Sequence, residues 1–190
     1  MEGIYQRIWD LAVPYLKKGI RKDFVLHTKG VVYAMELLLK KESADESVLI
    51  PAAILHDVGW SKVPVDLQKN DDVAKKHEAL RLHIEYAPTI IEDVLRKLKY
   101  DADKMSKIVD IVKAHKFQNP AEHEKRLLID ADTMSDAFRE QFYSDVKSYG
   151  NTPEQLYQFR KKNDFYTKSA KVIFINELEQ RRKEFKSAQN

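Results

Sequence analysis

The 190-residue sequence contains no cysteine, which excludes disulfides, thiolate metal ligands and cysteine nucleophiles. It holds only five glycines and six prolines, and no apolar run approaches the length of a membrane span. The first residues lack a signal-peptide pattern, so we expect a cytoplasmic protein without membrane partners. A Gly-rich phosphate loop is also missing, which argues against a P-loop nucleoside triphosphatase.

Neither sign of charge dominates the sequence, because 33 basic residues are nearly balanced by 30 acidic ones and the net charge is only +3. The basic residues near the C-terminus, such as Arg181 and Arg182, alternate with Glu177, Glu179 and Glu184. That alternation is typical of a solvated helix face and argues against nucleic-acid binding. The sequence is compatible with a homodimer but does not require one.

The apolar residues recur with a 3.6-residue period in almost every segment, and no segment alternates as a strand does. We therefore predict an all-α, single-domain helical bundle over residues 1–190 without a significant sheet. Breaks are expected near Pro14, before Pro88, at Asn119-Pro120 and at Gly150–Pro153, with a loop over 58–70. Asp23 and either Asp71 or Asp72 are candidate N-caps. The predicted helices cover about 4–18, 22–41, 46–57, 71–87, 89–100, 102–116, 122–149, 154–162 and 167–186.

The stretch Ile50–Gly59 is an apolar helix that runs into the adjacent pair His56-Asp57 and stops at a glycine. Burying an imidazole and a carboxylate there is costly unless something compensates. A metal ion compensates well, because neutral imidazole and ionised carboxylate are both metal ligands.

Further histidines and aspartates fall on other predicted helices, several of them on an apolar stripe. A lone core histidine is more often hydrogen-bonded than metal-bound, and a lone aspartate is more often a cap or a surface residue. Several unpaired core-facing groups together are unusual in a stable bundle, which favours a shared site. His83 and His123 have Lys/Glu-rich neighbours and are predicted to lie on the surface. The candidate ligands are His27, His56, Asp57, His77, His115 and Asp132.

The order His, His-Asp, Asp resembles the HD-domain superfamily of metal-dependent phosphohydrolases. The similarity rests on Ala53–Gly59 and on Leu128–Met134, and it covers residues from about Phe24 to Met134. A weaker similarity to bacterial members that act on nucleotides continues through Phe165-Tyr166-Thr167 and the helix that follows. The resemblance implies an HD-type bundle with a motif core over about 22–135 and C-terminal helices over 153–188.

The resemblance also implies a ligand set. His27, His56, Asp57 and Asp132 would bind one metal, and Asp132 is preferred to Asp130 because it holds the family's place in the Ala-Asp-x-Met pattern. His77 and His115 match the extra histidines of dinuclear members, with Asp57 as the bridging ligand. All-nitrogen-and-oxygen coordination suits one or two Mn, Fe, Co, Ni or Zn ions.

One position departs from the family pattern, because Trp60 stands where many mononuclear members carry glutamate and another branch carries lysine. The nearest lysine is Lys62, which we assign a catalytic role beside Asp57. Lys62, Arg81 and Lys116 are the candidate contacts to substrate phosphate, although each taken singly also reads as a solvated surface charge.

Hydrolysis of a phosphoester or phosphoanhydride in a nucleotide or another small phosphorylated metabolite is the function that the resemblance implies. Two alternatives stay open from the residues. A di-iron oxygenase would use the same six ligands. A sensor or interaction module would hold the metal only for structure. The six candidate ligands argue against this alternative, because a structural metal needs only four.

Overall fold

A computed structural model of the chain describes residues 2–20, 24–69 and 71–187. Within these ranges the chain forms ten α-helices and no β-strand, so the all-α prediction is confirmed. None of the described helices is both long and apolar enough to cross a membrane. The helices are α1 (Gly3–Leu16), α2 (Phe24–Leu39), α3 (Glu46–Leu55), α4 (Val65–Gln68), α5 (Val73–Lys97), α6 (Ala102–Lys113), α7 (His123–Ser135), α8 (Arg139–Tyr149), α9 (Pro153–Arg160) and α10 (Lys168–Ser187), with a 3₁₀ helix at Val58–Lys62 between α3 and α4.

Side-chain caps begin five helices in the described part of the chain, including α10, where the Thr167 hydroxyl accepts from the Ala170 N–H at 3.2 Å. Asp45, Asp72 and Asp101 each accept a hydrogen bond from a backbone N–H two or three residues later. Thr152 forms a full capping box with Gln155 ahead of α9. The predicted cap at Asp72 is thus confirmed, whereas Asp23 lies outside the described residues.

Two predicted breaks are wrong. Pro88 lies inside α5, which runs unbroken for 25 residues because Ala87, Ile90 and Ile91 on either side of it are buried against the core. Pro14 likewise lies within α1, which ends two residues later. Tertiary packing outweighs the local cost of proline at both places.

The predicted long helix over 122–149 is in fact two helices, α7 and α8. The chain leaves the helical path at Phe138, whose backbone is extended and whose ring packs 5.1 Å from that of Tyr33. The predicted loop over 58–70 contains the 3₁₀ helix and α4, and Asn70 lies outside the described residues.

The core is built around α2 and α3. Helix α2 packs along α7, and α3 is enclosed by α1, α2, α6 and α7, which explains why every residue from Val48 to Leu55 is buried. Helix α5 packs against the 3₁₀ helix and α6. These contacts bring the end of α3, the middle of α5, the end of α6 and the end of α7 to one place.

Asp130 ties the C-terminal helices to this core. Its buried carboxylate accepts hydrogen bonds from the backbone N–H groups of Tyr166 and Thr167, both at 2.9 Å, and from the Thr167 hydroxyl. Thr167 directly precedes α10, so Asp130 anchors the start of that helix on α7.

Candidate metal centre

Six buried imidazole and carboxylate side chains meet where those helices converge. His27 comes from the first turn of α2, and His56 and Asp57 follow the end of α3. His83 lies in the middle of α5, and Asp132 is in the last turn of α7. Each of the six residues is at most 8% exposed to solvent: His27, His56, Asp57, His83, His115 and Asp132.

The first group of donor atoms consists of His27, His56, Asp57 and Asp132. The Nε2 atoms of His27 and His56 lie 3.4 Å apart. Asp57 Oδ2 lies 3.3 Å from His56 Nε2 and 3.7 Å from His27 Nε2. Asp132 Oδ1 lies 3.1 Å from His27 Nε2 and 3.9 Å from His56 Nε2. Two imidazoles and two carboxylates therefore face a common point.

A second group shares Asp57 with the first. The Nε2 atoms of His83 and His115 lie 3.3 Å apart. The other Asp57 oxygen, Oδ1, lies 3.7 Å from His83 Nε2 and 3.9 Å from His115 Nε2. One carboxylate thus presents one oxygen to each pair of histidines, which is the arrangement of a bridging ligand.

Backbone carbonyls fix the tautomers of two of these histidines. His56 Nδ1 lies 2.9 Å from the Ala53 oxygen, and His115 Nδ1 lies 2.6 Å from the Val112 oxygen. A carbonyl oxygen only accepts, so each Nδ1 carries the proton. In the neutral ring each Nε2 then has a free lone pair directed into the cluster, as a metal ligand requires.

Ser135 sets the same tautomer at His27. Its hydroxyl donates to the Asp132 carbonyl oxygen at 2.7 Å, which leaves the Ser135 oxygen to accept from His27 Nδ1 at 3.1 Å. His27 Nε2 therefore also presents a lone pair. Nitrogen lone pairs only 3.4 Å apart repel each other unless a cation lies between them.

The pKa values of these side chains leave most of them in the protonation state that a metal ligand requires. Burial opposes ionisation of Asp57, yet His56 and the other histidines hold its pKa well below the usual range. Burial lowers the pKa of His83 to about 4 and, together with the Lys116 charge, that of His115 to about 3, so both are neutral at pH 7. Burial would also lower the pKa of His56, but Asp57 and Asp132 outweigh it and raise that pKa.

Divalent transition metals fit this donor set. Ligand atoms about 2.0–2.2 Å from a metal in tetrahedral or octahedral geometry lie about 3–3.5 Å from one another. The measured separations within the two groups run from 3.1 Å to 3.9 Å. Imidazole and carboxylate donors suit the Mn, Fe, Co, Ni or Zn ions expected from the sequence. The structure thus places five of the six predicted ligands together.

The sixth prediction, His77, needs correction. His77 lies on the exposed side of α5, where its ring packs 4.5 Å from that of Phe117. His83, predicted to lie on the surface, is fully buried and takes the expected place beside His115. The two residues are six positions apart in one helix, so they point in different directions.

A sequence signal for His83 did exist. Together with Ala79, Ala87, Ile90, Ile91 and Val94 it forms the buried stripe of α5. The break predicted at Pro88 divides this stripe, so His83 is left with the charged residues on the N-terminal side of the break. His123 is, as predicted, exposed, and its nearest charged partner is Glu42 at 3.5 Å.

Of the three predicted phosphate contacts, only Lys116 lies at the site. Its ammonium pairs with Asp132 Oδ2, the oxygen turned away from the histidines. Burial would lower the pKa of Lys116, but Asp132 and Asp57 raise it, so the group stays charged. Lys62 is exposed at the end of the 3₁₀ helix, and Arg81 is exposed and pairs with Glu85 one turn along α5. The structure does not support a substrate-binding or catalytic role for Lys62 or Arg81.

A cavity of about 560 Å³ opens onto the first group of donors. Its far wall comes from α8 and α9 and includes Arg160, a cation that no sequence pattern indicates. Arg160 is buried, and its guanidinium bonds the Asp145 carboxylate and the Asp136 carbonyl oxygen. The lining residues are Phe24, His27, Asp57, Trp60, Leu80, Lys116, Asp132, Thr133, Asp136, Asp145, Tyr149, Asn151, Leu156, Phe159 and Arg160.

Comparison with known proteins agrees with this geometry. The family model of the HD domain matches residues 24–137, a range that contains all six clustered residues. The fold is similar to the crystal structure of a predicted HD superfamily hydrolase from an uncultured Thermotogales bacterium, with a TM-score of 0.63 and 18% sequence identity. That similarity covers 97% of this chain and 92% of the other. A search of curated proteins finds no significant match.

Proposed function

Because this chain belongs to the HD-domain family, we propose that it is a metal-dependent phosphohydrolase that acts on a nucleotide or another small phosphorylated metabolite. The observation that carries the proposal is the position of the donor cluster. Both donor groups share Asp57, and Asp57 and Asp132 lie in the wall of a cavity large enough for a metabolite. The structural neighbour, described as a hydrolase, agrees with this reaction class.

The charges around the cavity explain why a phosphorylated substrate depends on metal. Four carboxyl groups (Asp57, Asp132, Asp136, Asp145) line the cavity, against two permanent cations, Lys116 and Arg160. Both cations are already paired with carboxylates. Without added positive charge the cavity repels phosphate. When bound, divalent ions supply Lewis acidity toward water and phosphate.

The chain's own residues position this chemistry. Asp57 keeps the two donor groups adjacent, because its two oxygens face different histidine pairs. Ser135 and the Ala53 carbonyl hold His27 and His56 in one tautomer. Lys116 lies at the cavity wall beside Asp132, where its ammonium can contact a phosphate oxygen.

Phosphate release from a panel of nucleotides and sugar phosphates tests the proposal. Protein loaded with Mn, Co, Ni, Zn or Fe is assayed in air and under strict exclusion of oxygen. Hydrolysis needs no redox change, so we expect activity without oxygen and with redox-inert Zn as well as with Mn. Asp57→Ala should lose both metal and activity.

Two other results would reject the proposal. Product formed only with iron and oxygen would identify a di-iron oxygenase. A fully metal-loaded protein without turnover under either condition would point to a sensor module.

A further inference from the structure

Trp60 contacts two of the three residues of the second donor group, Asp57 and His83. Its indole Nε1–H donates to Asp57 Oδ1 at 3.2 Å, and Oδ1 is the oxygen that faces His83 and His115. Its ring also stacks on the His83 imidazole, with centroids 4.5 Å apart and planes only 7° from parallel. One side chain therefore touches a carboxylate and a histidine of the same group.

The stack matters because His83 is held differently from the other three histidines. His27, His56 and His115 each use Nδ1 in a hydrogen bond that orients the ring. His83 Nδ1 has no well-formed partner among the described residues, and the Leu80 carbonyl interacts with it only weakly. The stack on Trp60 at 4.5 Å is closer than the edge contact with the His115 ring at 5.2 Å, so Trp60 is a main contact that orients the His83 ring.

We propose that Trp60 is a positioning residue for the second metal site, where it orients His83 by stacking and Asp57 Oδ1 by a hydrogen bond. The inference rests on the metal-binding part of the proposed function and is independent of the reaction. Outer-shell groups that orient metal ligands typically contribute about 10–100-fold to metal affinity.

The surroundings of Trp60 keep its indole in place. Gln68 donates to the Trp60 carbonyl oxygen at 3.2 Å, and the Phe24 ring lies 5.7 Å from the indole. The first donor group depends less on these contacts, because His27, His56 and Asp132 supply three of its four donors. Loss of Trp60 should therefore weaken one metal site selectively.

Titration of metal-free protein with Co²⁺, followed by calorimetry and by metal analysis after gel filtration, measures both sites without any substrate. We expect two equivalents for the unmodified protein, the second weaker because its group has three donors instead of four. Trp60→Phe keeps an aromatic face but loses the N–H, and should weaken the second equivalent about tenfold. Trp60→Leu loses both contacts and should weaken it about a hundredfold, with the first equivalent changed much less in both variants.

Trp9→Phe is the matched control, since it removes the other tryptophan, which is buried in α1. It should leave both equivalents unchanged. If Trp60→Leu does not fold, Trp60→Phe still decides the question.

Two results overturn the inference. One is a second equivalent that binds equally well in the unmodified protein and Trp60→Phe. The other is an unmodified protein that binds only one equivalent. If the unmodified protein bound no Co²⁺ at all, the proposed metal-dependent function would be rejected together with the role of Trp60. This outcome is distinct from the two results that reject the role of Trp60 alone.

Discussion

A β-carbon placed on Gly59 would lie 1.8 Å from the carbonyl oxygen of His83. The 3₁₀ helix that follows the His56-Asp57 pair therefore packs directly on the backbone of α5 at the turn that carries the third histidine. Only a residue without a side chain permits this approach. The glycine that ends the apolar stretch thus lets the 3₁₀ helix approach the part of α5 that carries His83.

Gly59→Ala should push α5 away from the 3₁₀ helix and displace His83. The clash is with backbone atoms, so relief requires movement of a whole helix, and overpacking of this kind costs about 1–3 kcal/mol. We expect a lower free energy of unfolding in urea and loss of the second metal with retention of the first. Glu78→Ala, on the exposed face of α5, is the control and should change neither. Full metal content in Gly59→Ala would show that this close approach is unimportant for the site.

His83→Ala should lower the metal-to-protein ratio by about one, whereas His77→Ala should leave it unchanged. His83 lies 3.3 Å from His115 Nε2, while His77 is exposed on the same helix. Elemental analysis of the two purified variants measures the difference. The opposite pattern would restore the ligand set expected from the sequence.

Asp130 and Asp132 are two positions apart but should respond differently to replacement. Asp132→Asn should weaken metal binding, because Asp132 Oδ1 lies 3.1 Å from His27 Nε2. Asp130→Asn should keep the metal and lose about 1–3 kcal/mol of unfolding free energy, because it disrupts the hydrogen bonds to Tyr166 and Thr167. Metal analysis and urea unfolding of both variants test this. If Asp130→Asn lost the metal at unchanged stability, Asp130 would be a metal ligand and the structural role assigned to it would be wrong.

Lys116→Ala should raise KM for a phosphorylated substrate about tenfold, the effect of losing one hydrogen bond to a charged group. The metal should remain, since Lys116 contacts only the Asp132 oxygen turned away from the histidines. Lys62→Ala and Arg81→Ala are matched controls outside the cavity lining and should behave like the unmodified protein. A normal KM in Lys116→Ala, or a raised one in either control, would contradict this assignment.

The metal-free protein should lose stability as the pH falls from about 6.5 toward 4. His83 and His115 have pKa values of about 4 and about 3 when folded, whereas unfolded histidine titrates near 6.5. In that window the unfolded chain binds more protons, so each histidine contributes a slope of up to about 1.4 kcal/mol per pH unit. The raised pKa of His56 adds no slope below 6.5, because both states are then protonated.

Urea unfolding in the presence of a chelator measures this slope. His123→Gln, which replaces an exposed histidine, should leave the slope unchanged, and His83→Gln should remove about half of it. Stability that stays constant between pH 6.5 and 4.5 would contradict the expected neutral state of the two buried histidines.

Most helices follow from local sequence, because burial stripes and capping aspartates act within a few residues, whereas the ligand set follows from the family resemblance. The errors arise where distant packing overrides local preference. Pro88 is tolerated because its helix is buried on either side of it, and the chain turns between α7 and α8 at Phe138, whose ring packs on Tyr33. Neither contact is visible in a window of the sequence. Arg160 could not be identified at all, since its partners Asp145 and Asp136 meet it only in the folded chain.

The hydrogen bond between His27 and Ser135 joins positions 108 residues apart in the chain. Closing a loop of this length costs conformational entropy, whereas individual helices form from local contacts. The first donor group is complete only once α7 has docked along α2. A metal ion held by His27 and Asp132 would therefore link both ends of the family domain and should slow its unfolding.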